Sequence, residues 1–288
     1  MSVRKLSMVA GRCCLVIFFA MVVAGFFADI PRWATWIPLV ASVVLMLAPH
    51  RKAADPHSTP AEPIEVAPPV TGRWSALNSP ADKVPSHGTR AYGQAYAIDI
   101  VAESEEHPRP GRGWWPIARR NRDFPGFGAP LTAVADGTVV RATDRARDHL
   151  SRTSVLSLLY LLFFESSFRE VGGAGKLVGN HLVLDLGGGT YAMYAHLQRG
   201  SLAVREGERV RAGQPVARCG NSGNSSEPHV HFQLMDGPDL DTARGVPFRW
   251  TGVGVPGNGE VFTVGAAVVE NEVFTVGTAA SEKTSLRD

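Results

Sequence analysis

Residues 180–197 read NHLVLDLGGGTYAMYAHL. Val183 and Leu184 begin a β-branched and apolar run, and three glycines, Gly187, Gly188 and Gly189, interrupt it. An alternating stretch from Thr190 to Leu197 follows. Two such runs about a glycine turn predict a β-hairpin. The same style recurs on both sides: AYAIDIV (95–101), LTAVADGTVVRATD (131–144), VRAGQPVARCG (210–220) and HVHFQLM (229–235) alternate or carry β-branched runs, with Gly, Asp or Asn between them. The 30 Gly and 20 Pro fit many turns and short strands better than a helical bundle. A mainly β domain with an antiparallel sheet is expected over residues 73–249.

The rest of the chain departs from that style. Residues 13–28 and 33–49 are free of charge, and Asp29, Pro31 and Arg32 lie between them. Each run is near the lower length for a membrane helix, and Trp33 and Trp36 suit an interface. Residues 1–50 are therefore expected to form a two-helix membrane hairpin; the alternative is a signal peptide followed by a second apolar segment, but no convincing small-x-small cleavage site follows the first run. The basic residues flanking it, Arg4, Lys5, Arg12, Arg51 and Lys52, would put both ends in the cytoplasm by the positive-inside rule. Residues 51–72 are rich in Pro and Ala and read as a linker. SVLSLLYLLFFESSF (154–168) predicts a short helical insertion, spanning about 148–170 with its flanks, too short to cross a bilayer. It either covers a sheet edge or meets a membrane or partner. Residues 250–288 form a tail with a short repeat, NGEVFTVG (258–265) and NEVFTVG (271–277).

A net charge of +2 over 288 residues gives no basis for a nucleic-acid partner. Three cysteines, two of them adjacent at 13 and 14, supply neither a disulfide framework nor a cysteine-rich zinc site. A metal would need His, Asp or Glu.

Such residues occur where strands are expected. In HVHFQL, alternation puts His229, His231 and Gln233 on one face and Val230, Phe232 and Leu234 on the other. In TYAMYAHL, counting by twos places Ala192, Tyr194 and His196 together. In YAIDI, Asp99 points away from Ile98 and Ile100, and a carboxylate in so apolar a strand is costly unless paired or bound to a metal. His87 lies in the loop that feeds this strand. A catalytic zinc takes three protein ligands and keeps a position for water; these residues suffice for one. His50, His57, His107, His149 and His181 fall in the linker, charged loops or a strand end and are not assigned to the site; nor are Asp185 and Cys219.

YAHL followed by VREGERVRAGQPVARCGNSGNSSEPHVHFQL resembles the lysostaphin/LytM-type zinc endopeptidases, which cut peptides of bacterial peptidoglycan, and GAPLTAVADGTVV looks like their early strand pair. The resemblance covers roughly residues 85–236. It implies an antiparallel β core with a groove and a Zn2+ held by Asp99, His231 and a further histidine. It also implies that His196 and His229 assist the attacking water and stabilise the transition state. The family commonly has a histidine four residues before the aspartate, where this chain has Ala95; in the subfamily with YAxD strands the ligand lies upstream, which points to His87. The resemblance thus implies a membrane-tethered peptidoglycan endopeptidase, its catalytic domain outside the cell. The alternatives are a catalytically silent domain that binds the wall or activates another hydrolase, and a peptidase facing the cytoplasm. No residue identifies an envelope partner protein.

Overall fold

The computed structural model describes residues 3–47 and 62–265. The first half of the 51–72 linker, His50, His57 and the second repeat copy at 271–277 lie outside them. In chain order the elements are helices α1 (Val3–Ala24) and α2 (Arg32–Leu47), then strands β1 (Ile64–Val66), β2 (Gly72–Leu77), β3 (Ile98–Ala102), β4 (Pro130–Thr132) and β5 (Gly137–Thr143). The insertion supplies helices α3 (Val155–Tyr160) and α4 (Ser166–Val171), and α5 (Ala174–Val178) follows it. Strands β6 (His181–Asp185), β7 (Tyr191–Ala195), β8 (Arg209–Val210), β9 (Pro215–Arg218) and β10 (Val230–Met235) follow. The chain ends its described part with β11 (Gly245–Val246), β12 (Phe248–Trp250) and β13 (Val261–Val264).

The fold is mainly β, as expected. One antiparallel sheet runs β13-β2-β3-β10-β7-β6-β5-β8, with β11 on the end of β10. The glycine turn at 187–189 joins β6 to β7 as read from the sequence, with Leu182 opposite Tyr194. β10 lies between β3 and β7 and is buried along its whole length. Alternation then sorts its side chains. Phe232 and Leu234 enter the main core with Ile98, Ile100 and Tyr194, and Phe232 packs edge-on to Tyr194, with ring centroids 5.5 Å apart, and to Phe248, at 5.1 Å. His231 and Gln233 take the opposite face. The small sheets β1-β12 and β4-β9 contribute Val66, Trp250, Leu131 and Val216 to the main core. β1 and β13 both lie outside the 73–249 span expected for the domain, yet Val66 and Phe262 are core residues. In β13 the first repeat copy pairs with β2.

Two expectations need correction. The N-terminal helices form where expected and touch, with Phe18 and Trp36 ring centroids 5.9 Å apart. However, no helix among the described residues is long and apolar enough to cross a membrane, so a spanning hairpin is not supported. The 16 residues of α2 reach about 24 Å at 1.5 Å per residue, short of a hydrocarbon core about 30 Å thick. In α1, Arg4, Lys5 and Arg12 confine the charge-free part to Cys13–Ala24. The second correction concerns 95–101. β3 starts only at Ile98, because Ala91–Tyr96 winds as a 3-10 turn with positive φ at Tyr92 (59°) and Gly93 (72°).

Candidate metal centre

The polar face of the sheet gathers the predicted residues. His231 lies opposite Asp99 across β10 and β3, and its Nδ1 is 2.8 Å from Asp99 Oδ1. The loop before β3 folds back so that His87 Nε2 lies 3.0 Å from Asp99 Oδ2. The donor atoms of His87, Asp99 and His231 all fall within 4.8 Å of one another. Asp99 and His231 are buried and His87 is half-buried. The 3-10 turn carries the chain from His87 to Asp99, and Ala95 within it is buried in packing.

His229 and His196 flank this cluster. His229 Nε2 is 3.6 Å from Asp99 Oδ1, and its ring centroid is 4.7 Å from that of His196. His229 reaches the site by strand alternation with His231. His196 does not. Strict alternation in β7 puts it with Ala192 and Tyr194, which are core residues, on the face away from His231. The residue instead takes φ +61°, ending the strand, and this left-handed turn swings the imidazole over the edge toward His229 and His231. His196 thus arrives at the site by leaving the face that alternation assigns it.

The hydrogen bonds fix which nitrogen of each ring carries its proton. His229 Nδ1 donates to the Glu227 carbonyl at 2.8 Å, and His196 Nδ1 donates to the Ser222 carbonyl at the same distance. In a neutral ring this tautomer leaves the lone pair on Nε2. Gln233 acts likewise on His231. Its amide nitrogen donates to the Tyr92 carbonyl at 2.7 Å, so its oxygen must be the atom 2.9 Å from His231 Nε2. That oxygen accepts a hydrogen bond from the Nε2–H, leaving a lone pair on Nδ1 that faces a carboxylate oxygen. Two acceptors at such a distance repel unless a cation lies between them or the ring is protonated. The donor set of two imidazoles and one carboxylate, with a tetrahedral ligand spacing of about 3.3 Å implied by metal bonds of roughly 2.0–2.1 Å, suits zinc. Asn78 also binds Asp99, its Nδ2 2.8 Å from Oδ2.

Charge follows the same geometry. Burial drives the Asp99 carboxyl upward, but His87, His229 and His231 around it win, and its pKa lies well below the ordinary carboxylate value. Burial, with repulsion from His229 and His231, holds the His196 pKa well below that of an ordinary imidazole. His196 is neutral at neutral pH.

The strand-end loop 220–229 is packed closely beneath these residues. Asn221, Ser222 and Ser225 are fully buried. Ser222 Oγ donates to the Leu197 carbonyl at 2.8 Å and accepts from Asn180 N at 3.0 Å. Gly223 (φ +72°) meets Gly179 so closely that a Cβ there would lie 2.5 Å from the Gly179 nitrogen. Sequence reasoning missed the roles of Gln233, Asn78 and Ser222. For Gln233 the signal was present, since it shares the histidine face of β10; for Asn78, far away on the turn after β2, there was none.

Sheet and site together define a mainly β domain with a candidate metal centre on the polar face of its sheet. Residues 168–242 match the model of Peptidase family M23, and parts of the chain are similar to curated glycyl-glycine and peptidoglycan endopeptidases. The matched segment includes His196, His229 and His231 but not His87 or Asp99. The glycyl-glycine endopeptidase ALE-1 of Staphylococcus capitis is 29% identical over 113 residues, covering 39% of this chain and 23% of that protein. The peptidoglycan DD-endopeptidase ShyA of Vibrio cholerae is 33% identical over 57 residues, or 20% of this chain and 13% of that protein. This chain thus spans less than a quarter of either relative's length. Among solved structures, lysostaphin of Staphylococcus simulans is 20% identical, with 55% of this chain and 45% of that one covered at a TM-score of 0.31. The catalytic domain of the prophage-encoded M23 protein EnpA of Enterococcus faecalis, solved as a point mutant, is 19% identical, with 52% and 73% covered at a TM-score of 0.30.

Proposed function

We propose that this chain is a zinc-dependent endopeptidase that cleaves peptide stems or cross-links of peptidoglycan, held at the cell membrane by its N-terminal helices with the catalytic domain outside. The observation that carries the reading is the convergence of His87 Nε2, Asp99 and His231 Nδ1, with two further imidazoles beside them. His87, Asp99 and His231 would hold the zinc. Bound there, zinc supplies Lewis acidity, polarising the scissile carbonyl and lowering the pKa of water toward roughly 7.

The chain's own groups do the rest. His229 and His196 each present an unprotonated Nε2, so either can take a proton from the attacking water. As the C–N bond breaks, the imidazolium so formed returns that proton to the leaving amine. The backbone carbonyls of Glu227 and Ser222 keep both rings in the required tautomer throughout. Gln233 and Asn78 orient the ligands and take no proton.

The test is zinc content and muropeptide cleavage by the purified chain, with His231→Ala and His229→Ala variants. Loss of zinc and cleavage in the first, and loss of cleavage with zinc retained in the second, would support the reading. A second reading, a wall-binding domain without activity, draws on Ala95 at a position where many relatives of the family have a ligand. Stoichiometric zinc with muropeptide binding and no cleavage would favour it.

A further inference from the structure

The insertion is built inside out. From Val155 to Val171 its buried positions are mostly polar: Ser157, Ser166 and Glu170 are each 7% exposed or less, with Leu161 the buried apolar side chain beside them. Its outward positions are apolar, with Leu156 at 53%, Leu162 at 54%, Phe168 at 76% and Val171 at 59%. A surface helix in water shows the reverse pattern. Two distant segments enlarge the apolar face. Gly113 bridges to Ser154, and Ser154 Oγ donates to the Ile117 carbonyl at 2.8 Å, which sets Trp114 and Trp115 beside the insertion at 69% and 78% exposure. From the other side α1 joins it through an ion pair between Arg12 and the buried Glu170 and a contact of Phe19 with Phe163, centroids 6.3 Å apart. Phe26, Phe27 and Trp33 continue the apolar surface along α1 and the turn to α2. Patches of this extent mark a contact surface.

We infer that the Trp114–Trp115 loop, the insertion helices and α1 together form one interfacial membrane-binding face that rests on an anionic lipid bilayer. Charge selects the occupant. Residues 109–122, RPGRGWWPIARRNR, hold five arginines and no acid around the tryptophan pair, and Arg112, Arg120 and Arg122 are exposed. Aromatic rings at headgroup depth flanked by exposed guanidinium groups match an anionic interface, whereas a protein groove would not call for five arginines with no acid among them. No spanning helix is needed. The same loop sends Arg109 Nε to within 3.2 Å of the Glu227 carboxylate, two residues before His229, so the bilayer contact is connected directly to the site loop.

The test uses the full chain with Cys13 and Cys14 replaced by Ser, leaving Cys219 buried at 1% exposure, and an environment-sensitive fluorophore on Leu156→Cys. Arg205→Cys, in the exposed turn before β8, is the control. On vesicles of phosphatidylcholine and phosphatidylglycerol we expect a blue shift and several-fold brightening at position 156, quenched by lipid-borne nitroxide, with neither at 205. Trp114→Ser/Trp115→Ser should reduce the quenching, as should omitting phosphatidylglycerol. A label at 156 that remains open to aqueous iodide on vesicles would overturn the inference. So would a label shielded from iodide yet unquenched by lipid nitroxide, its shielding rising with protein density, which assigns the face to a second copy. Equal quenching with and without phosphatidylglycerol would overturn the anionic assignment. None of these readouts depends on peptide cleavage.

Discussion

Replacing Gln233 by Leu removes one group with two fixed duties. Gln233 is fully buried and of nearly the same volume as Leu, so the packing of β10 is little disturbed. Two bonds disappear, from His231 Nε2 at 2.9 Å and to the Tyr92 carbonyl at 2.7 Å. The buried His231 Nε2–H loses its acceptor, at about 1–3 kcal/mol, and the half-buried Tyr92 carbonyl loses one donor. Folding stability should therefore fall by at least about 1–3 kcal/mol. The effect on metal is separate. With no acceptor at Nε2, the His231 proton is free to move to Nδ1, where Asp99 Oδ1 waits at 2.8 Å. Zinc must then displace that proton. Losing such an outer partner typically costs 10–100-fold in metal affinity, about 1.4–2.7 kcal/mol. Gln233→Glu distinguishes the two effects: its carboxylate still accepts from Nε2 but cannot donate to Tyr92, so stability falls while zinc affinity stays within about tenfold of the parent. Competition against a chromogenic chelator gives the affinities, and imidazole nitrogen chemical shifts give the tautomer. A folded Gln233→Leu variant with parental zinc affinity and an unchanged His231 tautomer would refute the reasoning.

Other outcomes follow from particular contacts. Gly223→Ala should cost roughly 2–5 kcal/mol in denaturant unfolding, combining a left-handed alanine with a Cβ 2.5 Å from the Gly179 nitrogen; Gly187→Asn, where φ is +82° but the space is open, should cost little. His149, His181 and His196 all have folded pKa values lowered chiefly by burial. Below an ordinary imidazole pKa of about 6.5 the unfolded chain therefore binds more protons than the folded one, so stability should fall as pH drops from about 6.5 toward the folded values. Asp99, lowered as well, adds a further loss only at pH values below the usual carboxylate range. Thermal melts across pH test both, and a flat profile from neutrality to mild acid would contradict the histidine assignments. Zinc at about 100 times its dissociation constant should stabilise the parent by about 2.7 kcal/mol and leave His231→Ala unchanged.

Strand alternation made the central part of the site legible and then stopped at its edge. His229, His231 and Gln233 share a face because β10 is regular, and Asp99 meets them because β3 pairs with β10 in register. His196 obeys a different rule, a single left-handed residue, and periodicity carries no trace of that. His87 comes by way of a 3-10 turn with two left-handed residues, so only its closeness in sequence and the family resemblance pointed to it. The insertion was legible as a helix by composition. Its burial was not, because an apolar run is ordinarily assigned to the interior, and here the serines and Glu170 took that side. At the N-terminus the length of each uncharged run overstated the reach of the helices, since α1 ends at Ala24, four residues before the uncharged run does.

The loop GNSGNSSEPHVH can be explained residue by residue once its task is stated. It must deliver two backbone carbonyls, Ser222 and Glu227, to the Nδ1 atoms of two imidazoles that reach the site from different strands. A carbonyl accepts and cannot donate, so it permits one tautomer only, whereas a hydroxyl in its place would permit both. Ser225 Oγ does approach His229 Nδ1, at 3.0 Å, but its own proton goes to the Glu227 carbonyl at 2.7 Å, leaving it an acceptor there as well. Bringing the backbone this close demands residues without bulk, which is why Gly220 lies against Gln198 and Gly223 against Gly179, each at distances that exclude a Cβ. The buried Asn221 amide nitrogens and Ser222 hydroxyl then tie the loop to neighbouring segments, at Asp148, His149 and Leu197. A rigid loop of acceptors holds both flanking rings with their basic nitrogens free, whether or not a metal is bound. That makes the tautomer of His196 and His229 a property of the fold itself, measurable in metal-free protein as Nδ1–H signals protected from solvent exchange.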